Sequence, residues 1–352
     1  MALLKWNNGR AILRIALLFC TPLSWGAPVT SGGNTTQCAN IPHMDHPHVR
    51  LFNGDVEALV FLPDAKYGYY RSSRFDWSGV VGCAAYQGHT FWGEWFSHYD
   101  PYGNDSIAGP VEEFRSSDGG LGYAAAVPGG LFVKIGVGVL RRETDAAYDF
   151  GYRYPLVDGG HWTVKAKARS VVFTQRLRSA TGVAYQYTKV LKLDRHGAVI
   201  TLNHKLKNLG TKPLVTDVYD HDFFMLDGEP TGPGMQVSFP FKPNPDKPLE
   251  PAATVEGNKI VYNQELVPKR TVDAYLTGYS ASPSDYAIRV ENTRKQFGVE
   301  QTGDSPIAKL YLWSIRSTIS PEAYIHLDIA PGQTGSWTIH YRLFAGTANP
   351  SR

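Results

Sequence analysis

The sequence predicts an all-β chain of the sandwich or barrel class. Short segments in which apolar and polar residues alternate recur along almost the whole length. Turn formers such as Asn53-Gly54, Asn208-Leu209-Gly210 and Pro331-Gly332 separate them. No amphipathic helix, internal repeat or low-complexity segment stands out beyond the N-terminus. At 352 residues and 43% hydrophobic composition, the chain can bury a large core, and all-β domains often reach this length as one unit.

Residues 1–27 read as a secretory signal peptide. Lys5, Arg10 and Arg14 precede the short apolar stretch from Ile15 to Leu23, and Ser24-Trp25-Gly26-Ala27 offers small residues for cleavage. The apolar stretch is too short for a comfortable transmembrane span. A secreted or periplasmic protein without stable membrane insertion is expected. Cys20 leaves with the signal. For Cys38 and Cys83 an oxidising compartment favours a disulfide, the alternative being two buried thiols.

Residues 28–48 are an N-terminal loop segment ending in His43, His46 and His48. The spacing of these histidines around Asp45 fits no zinc pattern, and neither a metal nor a cofactor is expected. Residues 49–346 form the β-sandwich domain. A hairpin turns at Asn53-Gly54. Tyr67 to Trp77 is aromatic and carries Arg71 and Arg74. Two short strands follow between Gly79 and Phe91. Trp92 to Phe114 reads as a long loop dense in aromatic rings, which suits a binding rim better than disorder. Glu112 and Glu113 lie at its end.

Gly129 to Leu140 reads as one strand, and His161 to Leu177 as two. Tyr185 to Leu193 pairs with Ala198 to Leu206 about the 194–197 turn. Residues 228–258 read as a surface excursion with one strand, Met235 to Phe239. Strands return at Lys259 to Tyr262, Val272 to Thr277 and Tyr286 to Asn292. Near the end, strands are expected from Tyr324 to Ile329 and from Ser336 to Phe344.

The most informative stretch runs from Thr201 to Gly234. Leu202, His204 and Leu206 share one face of a strand, and a turn follows at Asn208-Leu209-Gly210. The next strand ends in Asp220-His221-Asp222-Phe223-Phe224. Charged groups beside two phenylalanines are costly unless paired or solvated, and a cleft can meet both conditions.

This order of strand, turn, strand and His before an aromatic pair resembles the galactose mutarotase (aldose 1-epimerase) superfamily. The corresponding family segment is roughly N-H-x-Y-F-N, with Asp220 and Met225 here in place of the two Asn. The tail is similar too. Val299-Glu300-Gln301, Pro331-Gly332 and Tyr341-Arg342-Leu343-Phe344 stand for an E-x-Q strand, a Pro-Gly turn and a Y-x-F ending, though Gln301 follows Glu300 directly. The resemblance spans about Val49 to Phe344. It implies a galactose mutarotase-like β-supersandwich of two large twisted antiparallel sheets. It also implies His221 as the acid that protonates a sugar ring oxygen and Glu300 as the base for the anomeric hydroxyl. Asp220 and Asp222 should raise the pKa of His221 by stabilising the imidazolium.

Arg71, Arg74, His161, Glu113, Asp220 and Asp222 are candidate substrate-binding residues. Each arginine could clamp hydroxyls or a carboxylate. His161, after Gly159-Gly160, could stand for a further family His. For each, the alternative is a solvated or purely structural role. The expected partner is a mono-, oligo- or polysaccharide, since 20 Tyr and eight Trp suit the apolar faces of sugars. A net charge of +3 with no basic run calls for no nucleic acid. No G-x-S-x-G, H-E-x-x-H or phosphate-loop motif is present.

An aldose 1-epimerase-like enzyme is the first reading. A polysaccharide lyase would use His221 or a Tyr as base with Arg71 or Arg74 on a carboxylate. A glycoside hydrolase would pair Glu300 with Glu112 or Glu113. A non-catalytic sugar-binding protein would need only the aromatic rim.

Overall fold

The computed structural model describes residues 37–346, so the signal-peptide expectation lies outside the described residues. Two large antiparallel sheets dominate. The larger has ten strands, in the order Ala253–Glu256, Lys259–Tyr262, Met235–Ser238, Ala287–Asn292, Phe297–Gly303, Thr334–Ala345, Val199–Asn208, Ala184–Leu193, Ser170–Arg178 and His161–Lys167. The smaller has six: Asn244–Pro245, Val272–Thr277, Lys309–Ile315, Thr318–Ile329, Leu214–His221 and Val111–Arg115. A four-stranded sheet from His48 to Thr90 and a three-stranded one from Leu131 to Asp158 complete the structure. The only helical element among the described residues is a single 3-10 turn at Pro283–Asp285. No described helix is long and apolar enough to cross a membrane.

Alternation does what the sequence predicts. Leu202 and Leu206 of the ten-stranded sheet face Val218, Ile325 and Leu312 of the six-stranded sheet across one continuous apolar core. His204 shares that inner face and is fully enclosed. The hairpins at Asn53-Gly54 and at 194–197 form, with Phe52 opposite Glu57 and Leu193 opposite Ile200. A second apolar cluster, including Phe61, Tyr69, Phe75, Trp77, Val111 and Phe223, lies on the other side of the six-stranded sheet. Cys38 and Cys83 form a disulfide within it.

Several boundaries differ. Gly129 to Leu140 is two strands, because Gly136 takes a φ of +78° and turns the chain between Leu131–Lys134 and Gly138–Arg141. The 228–258 stretch is less of an excursion than expected: Met235–Ser238 and Ala253–Glu256 join the ten-stranded sheet. The end of the aromatic loop, Val111–Arg115, is the edge strand of the six-stranded sheet. The strand expected at Tyr324 begins six residues earlier, at Thr318.

Candidate active site

The outer face of the six-stranded sheet builds the site, and strand periodicity decides which side chains reach it. Register places His221 beside Val111, and Tyr219 beside Glu113, on the edge pair of strands. Tyr311 lies opposite Glu322, and Lys309 opposite Tyr324. Tyr275 lies opposite Tyr311 on the next strand. Residues directly opposite one another in a ladder share a face. The same face thus carries His221, Glu322, Tyr219, Tyr324 and Tyr311.

These side chains line a cavity of about 320 Å³ together with Arg74, Arg115, Trp95 and Trp313. That is the lower end of the size range of small-molecule sites. Nε2 of His221 lies 3.3 Å from Oε1 of Glu322. Nδ1 of His221 is 2.8 Å from the Ser320 hydroxyl oxygen, which also accepts a hydrogen bond from the Asp222 amide. Phe223 stacks on the imidazole, ring centroids 3.6 Å apart. To do so it adopts a φ of +45°, a strained value for an aromatic residue of the kind that clusters at functional sites. The Trp313 and Phe75 rings meet the imidazole edge-on.

Burial sets the charge states. His221 is pushed well below the usual histidine range by desolvation, and then by the positive charge of Arg74. Glu322 is pushed up to about 8, again by desolvation, against the opposing pull of Arg74. At neutral pH the pair is therefore an uncharged imidazole beside a protonated carboxyl. Glu322 also accepts a hydrogen bond from the Tyr324 hydroxyl.

Behind this pair lies an ionic brace. Glu113 is fully buried and receives Arg74 Nε at 3.0 Å, Lys134 Nζ at 2.9 Å and the Tyr219 hydroxyl at 2.7 Å. Burial opposes its ionisation, but Lys134 and Arg74 outweigh that and hold it well below the usual carboxylate range. Arg74 also pairs with Asp105. Arg74 thus lines the cavity as a fixed donor, and Glu113 holds it there from outside the lining.

The remaining sequence candidates lie elsewhere. Glu300 does not meet His221. It sits on the Phe297–Gly303 strand of the ten-stranded sheet and pairs with Arg342 of the neighbouring strand. The reason is visible in the missing residue of its motif. With Gln301 directly after Glu300, the two point to opposite faces. Gln301 takes the interior, donating to the Tyr286 hydroxyl at 3.0 Å, and Glu300 is left outside.

Asp220 and Asp222 flank His221 in sequence and so face away from it. Both carboxyls lie within hydrogen-bond distance of the single Tyr341 hydroxyl between the sheets. Burial raises the pKa of both, Asp220 to about 8, and neither touches the imidazole. The expected raised pKa of His221 is therefore reversed, because desolvation and Arg74 act on it instead.

Arg71 donates to the Lys66 carbonyl and stacks on Tyr102, outside the cavity lining. His161 is exposed on the edge strand of the ten-stranded sheet. Glu112 lies on the face of its strand opposite Glu113, where it pairs with Lys189 and with His204 at 2.6 Å.

Glu322 lies outside the strand that the sequence predicts, Tyr324 to Ile329, and inside the longer one that forms, Thr318–Ile329. Pro321 is tolerated inside the strand beyond the Ile325–Ile329 stretch that ladders to Leu214–Val218. The available signal was the alternation of Glu322, Tyr324 and His326 in register with the following strand residues.

No family model and no curated protein matches the chain. Solved structures do. A galactose mutarotase-like protein from Clostridium acetobutylicum superposes with a TM-score of 0.54 at 14% identity, covering 85% of this chain and 95% of that one. The Slr1438 protein from Synechocystis sp. PCC 6803 gives 0.52 at 14% identity, over 86% and 97% of the two chains. An aldose epimerase homologue from C. elegans gives 0.50 at 12% identity, over 85% and 98%.

Proposed function

We propose that this chain, which has the galactose mutarotase-like fold, is a carbohydrate-active enzyme that interconverts the anomers of a sugar by acid/base catalysis with His221 and Glu322. The observation that carries the reading is their contact. A neutral base and a neutral acid lie 3.3 Å apart, in a cavity walled by Trp95, Trp313 and Tyr311.

Mutarotation acts on two oxygens of one carbon. Nε2 of His221 takes the proton of the anomeric hydroxyl while Glu322 gives its proton to the ring oxygen. The bond between the anomeric carbon and the ring oxygen breaks, leaving an open-chain aldehyde, an imidazolium and a carboxylate. The reverse transfers close the ring on either face of the aldehyde and restore the pair. Two adjacent groups of opposite proton demand suit two oxygens on one carbon. Hydrolysis of a glycoside would need two carboxyls roughly 5 Å or more apart across the bond. Asp105, the other carboxylate of the lining, is held by Arg74.

A second reading is supported by the neutral imidazole between Tyr219 and Trp313. A lyase could use His221 to remove the proton beside a uronate carboxylate, with Arg74 on that carboxylate. Export to an oxidising compartment, secreted or periplasmic, is part of the proposal and is supported by the Cys38–Cys83 disulfide.

The test is a panel of freshly dissolved anomers followed by optical rotation, and uronate-containing glycans followed by ultraviolet absorbance of unsaturated products. Accelerated mutarotation that falls by about 100-fold or more in His221→Ala and in Glu322→Gln is expected. An absorbance rise without mutarotation establishes the lyase instead. Wild-type rates in either variant overturn the assignment of that residue.

A further inference from the structure

The cavity is longer than its acid/base pair requires. His221 and Glu322 stand on neighbouring strands, and the row they begin continues across the sheet. Tyr311 lies opposite Glu322, and Tyr275 lies opposite Tyr311. Neighbouring strands are about 4.8 Å apart, so Tyr275 is two steps, about 10 Å, from Glu322. The rings of Tyr275 and Tyr311 keep that spacing, with centroids 4.7 Å apart, and both line the cavity. The other directions are closed. Phe223 stacks on the imidazole, and the buried Phe75 ring meets its edge. Along the strands, the next ring, Tyr324, is covered by Tyr219 at 4.1 Å and by the Lys309 ammonium at 3.7 Å. A ligand with its reacting carbon at the pair therefore extends towards Tyr311.

Tyr275 differs from the other rings of the lining. On its strand Val272, Ala274 and Leu276 face the core, while Asp273, Tyr275 and Thr277 face outward. Its side chain is 48% exposed. The Tyr311 hydroxyl donates to Asp273 at 2.7 Å, whereas the Tyr275 hydroxyl has no hydrogen-bond partner among the described residues. Phe150 is the other exposed ring of the lining, and the guanidinium groups of Arg74 and Arg115 lie over it at 4.5 and 5.5 Å. A half-exposed ring at the edge of a cavity suits the apolar C–H face of a sugar.

A single pyranose does not reach this ring. Its anomeric carbon and the oxygen on the opposite ring carbon are about 4 Å apart, a few bonds of about 1.5 Å each. With the anomeric carbon at His221 and Glu322, the first ring lies by Tyr311 and its far oxygen points to Tyr275. We propose that Tyr275 is an outer sugar subsite, and that the substrate is the reducing end of a di- or oligosaccharide. This rests on the reading of the cavity as a sugar site given above.

The experiment is isothermal titration of the intact protein with glucose and galactose, and with cellobiose, maltose, lactose and galactobiose. Polarimetry of the same sugars gives KM and kcat. At least one disaccharide should bind about fivefold or more tightly than the monosaccharide at its reducing end, with KM lower by a similar factor. Tyr275→Ala should bring that disaccharide down to the level of the monosaccharide, through KM and not kcat. Tyr275→Phe should keep most of the advantage, because the ring carries the contact. Equal binding of disaccharides and monosaccharides overturns the proposal. So does an advantage that survives in a folded Tyr275→Ala protein, or a failure of every disaccharide to bind. The outcomes also separate the two readings. A disaccharide advantage in binding, without mutarotation of any sugar, upholds the outer subsite and removes the acid/base mechanism. Mutarotation of monosaccharides without a disaccharide advantage does the reverse.

Discussion

Oε1 of Glu322 lies 3.3 Å from Nε2 of His221, and the same burial holds both groups uncharged at neutral pH. Desolvation disfavours the charged form of each, so the carboxyl rises and the imidazole falls. In the open, the same two side chains would form an ion pair with the proton on the histidine. Here burial favours the proton on the carboxyl rather than on the imidazole, and Nδ1 lies 2.8 Å from the Ser320 hydroxyl oxygen.

The pH dependence of turnover follows from that inversion. The reaction needs Glu322 protonated and His221 neutral. Activity should hold across neutral pH and fall as pH rises through about 8, where Glu322 loses its proton. The acid limb should lie well below the ordinary histidine value near 6.5. A mutarotation rate profile in polarimetry checks both limbs. An acid limb near 6.5 would mean that His221 titrates like a solvated histidine, and the proposed charge states would be wrong.

A pair of isosteric variants separates the carboxylate met by His221 from the one suggested by sequence. Glu322→Gln removes the acidic proton and should lower turnover by about 100-fold or more. Glu300→Gln changes only an outward-facing pair with Arg342, whose worth is on the order of 1 kcal/mol or less in stability. Its rate should stay within about twofold of wild type. Steady-state rates of the two proteins, side by side, decide the point. A large loss in Glu300→Gln would place that residue back in the mechanism.

The history of these two residues explains what the sequence could reveal. Period-two alternation disclosed the strands around Leu202, His204 and Leu206, and so the two-sheet architecture. It also located His221 at the end of a strand beside aromatic rings. Faces within the motif were harder. A family-like tail points to Glu300, but the absent residue before Gln301 rotates Glu300 to the outer side. Asp220 and Asp222 are neighbours of His221 in sequence and are on the other face in space. Glu322 comes to His221 through long-range pairing between strands about 100 residues apart, which no local pattern encodes. Arg115 was hidden because its strand lies at the end of an irregular aromatic stretch.

Stability should change with pH in the same direction as turnover on both limbs. For Glu322 the folded pKa, about 8, lies above its ordinary value near 4.5. Its contribution is fully present below about 4.5 and is lost as pH rises through 8, because only the unfolded chain gives up the proton easily. His221, depressed on folding, contributes stability that is lost as pH falls below about 6.5. Glu322→Gln mimics the protonated acid at every pH. Its Tm should therefore exceed that of wild type by a margin that grows from pH 5 to 8 and then levels. Asp220, raised to about 8, and Asp222, also raised, act in the same direction and remain in the variant, so some alkaline loss persists. A constant gap across this pH range would show that Glu322 is not the titrating group.

The inner face of the Val111–Arg115 strand makes a separate demand on stability. Lys189 is fully buried, pairs with Glu112, lies 3.8 Å from Asp76 and donates to the Ser78 carbonyl at 2.8 Å. Glu112 is held low, to about 2, because Lys189 and His204 outweigh its burial. Lys189→Met leaves Glu112 and Asp76 without their cation and should destabilise the protein by about 3–5 kcal/mol. Adding Glu112→Gln should recover part of that loss, since the uncompensated charge is then gone. Guanidinium unfolding of the two proteins measures the difference. The site on the other face depends on Glu113, Arg74 and Lys134, so the pH profile of folded Lys189→Met should keep both limbs. A shifted profile would mean that the two charge clusters on this strand are coupled across it. A loss below about 1 kcal/mol would mean that the sheets do not rely on Lys189 at their centre.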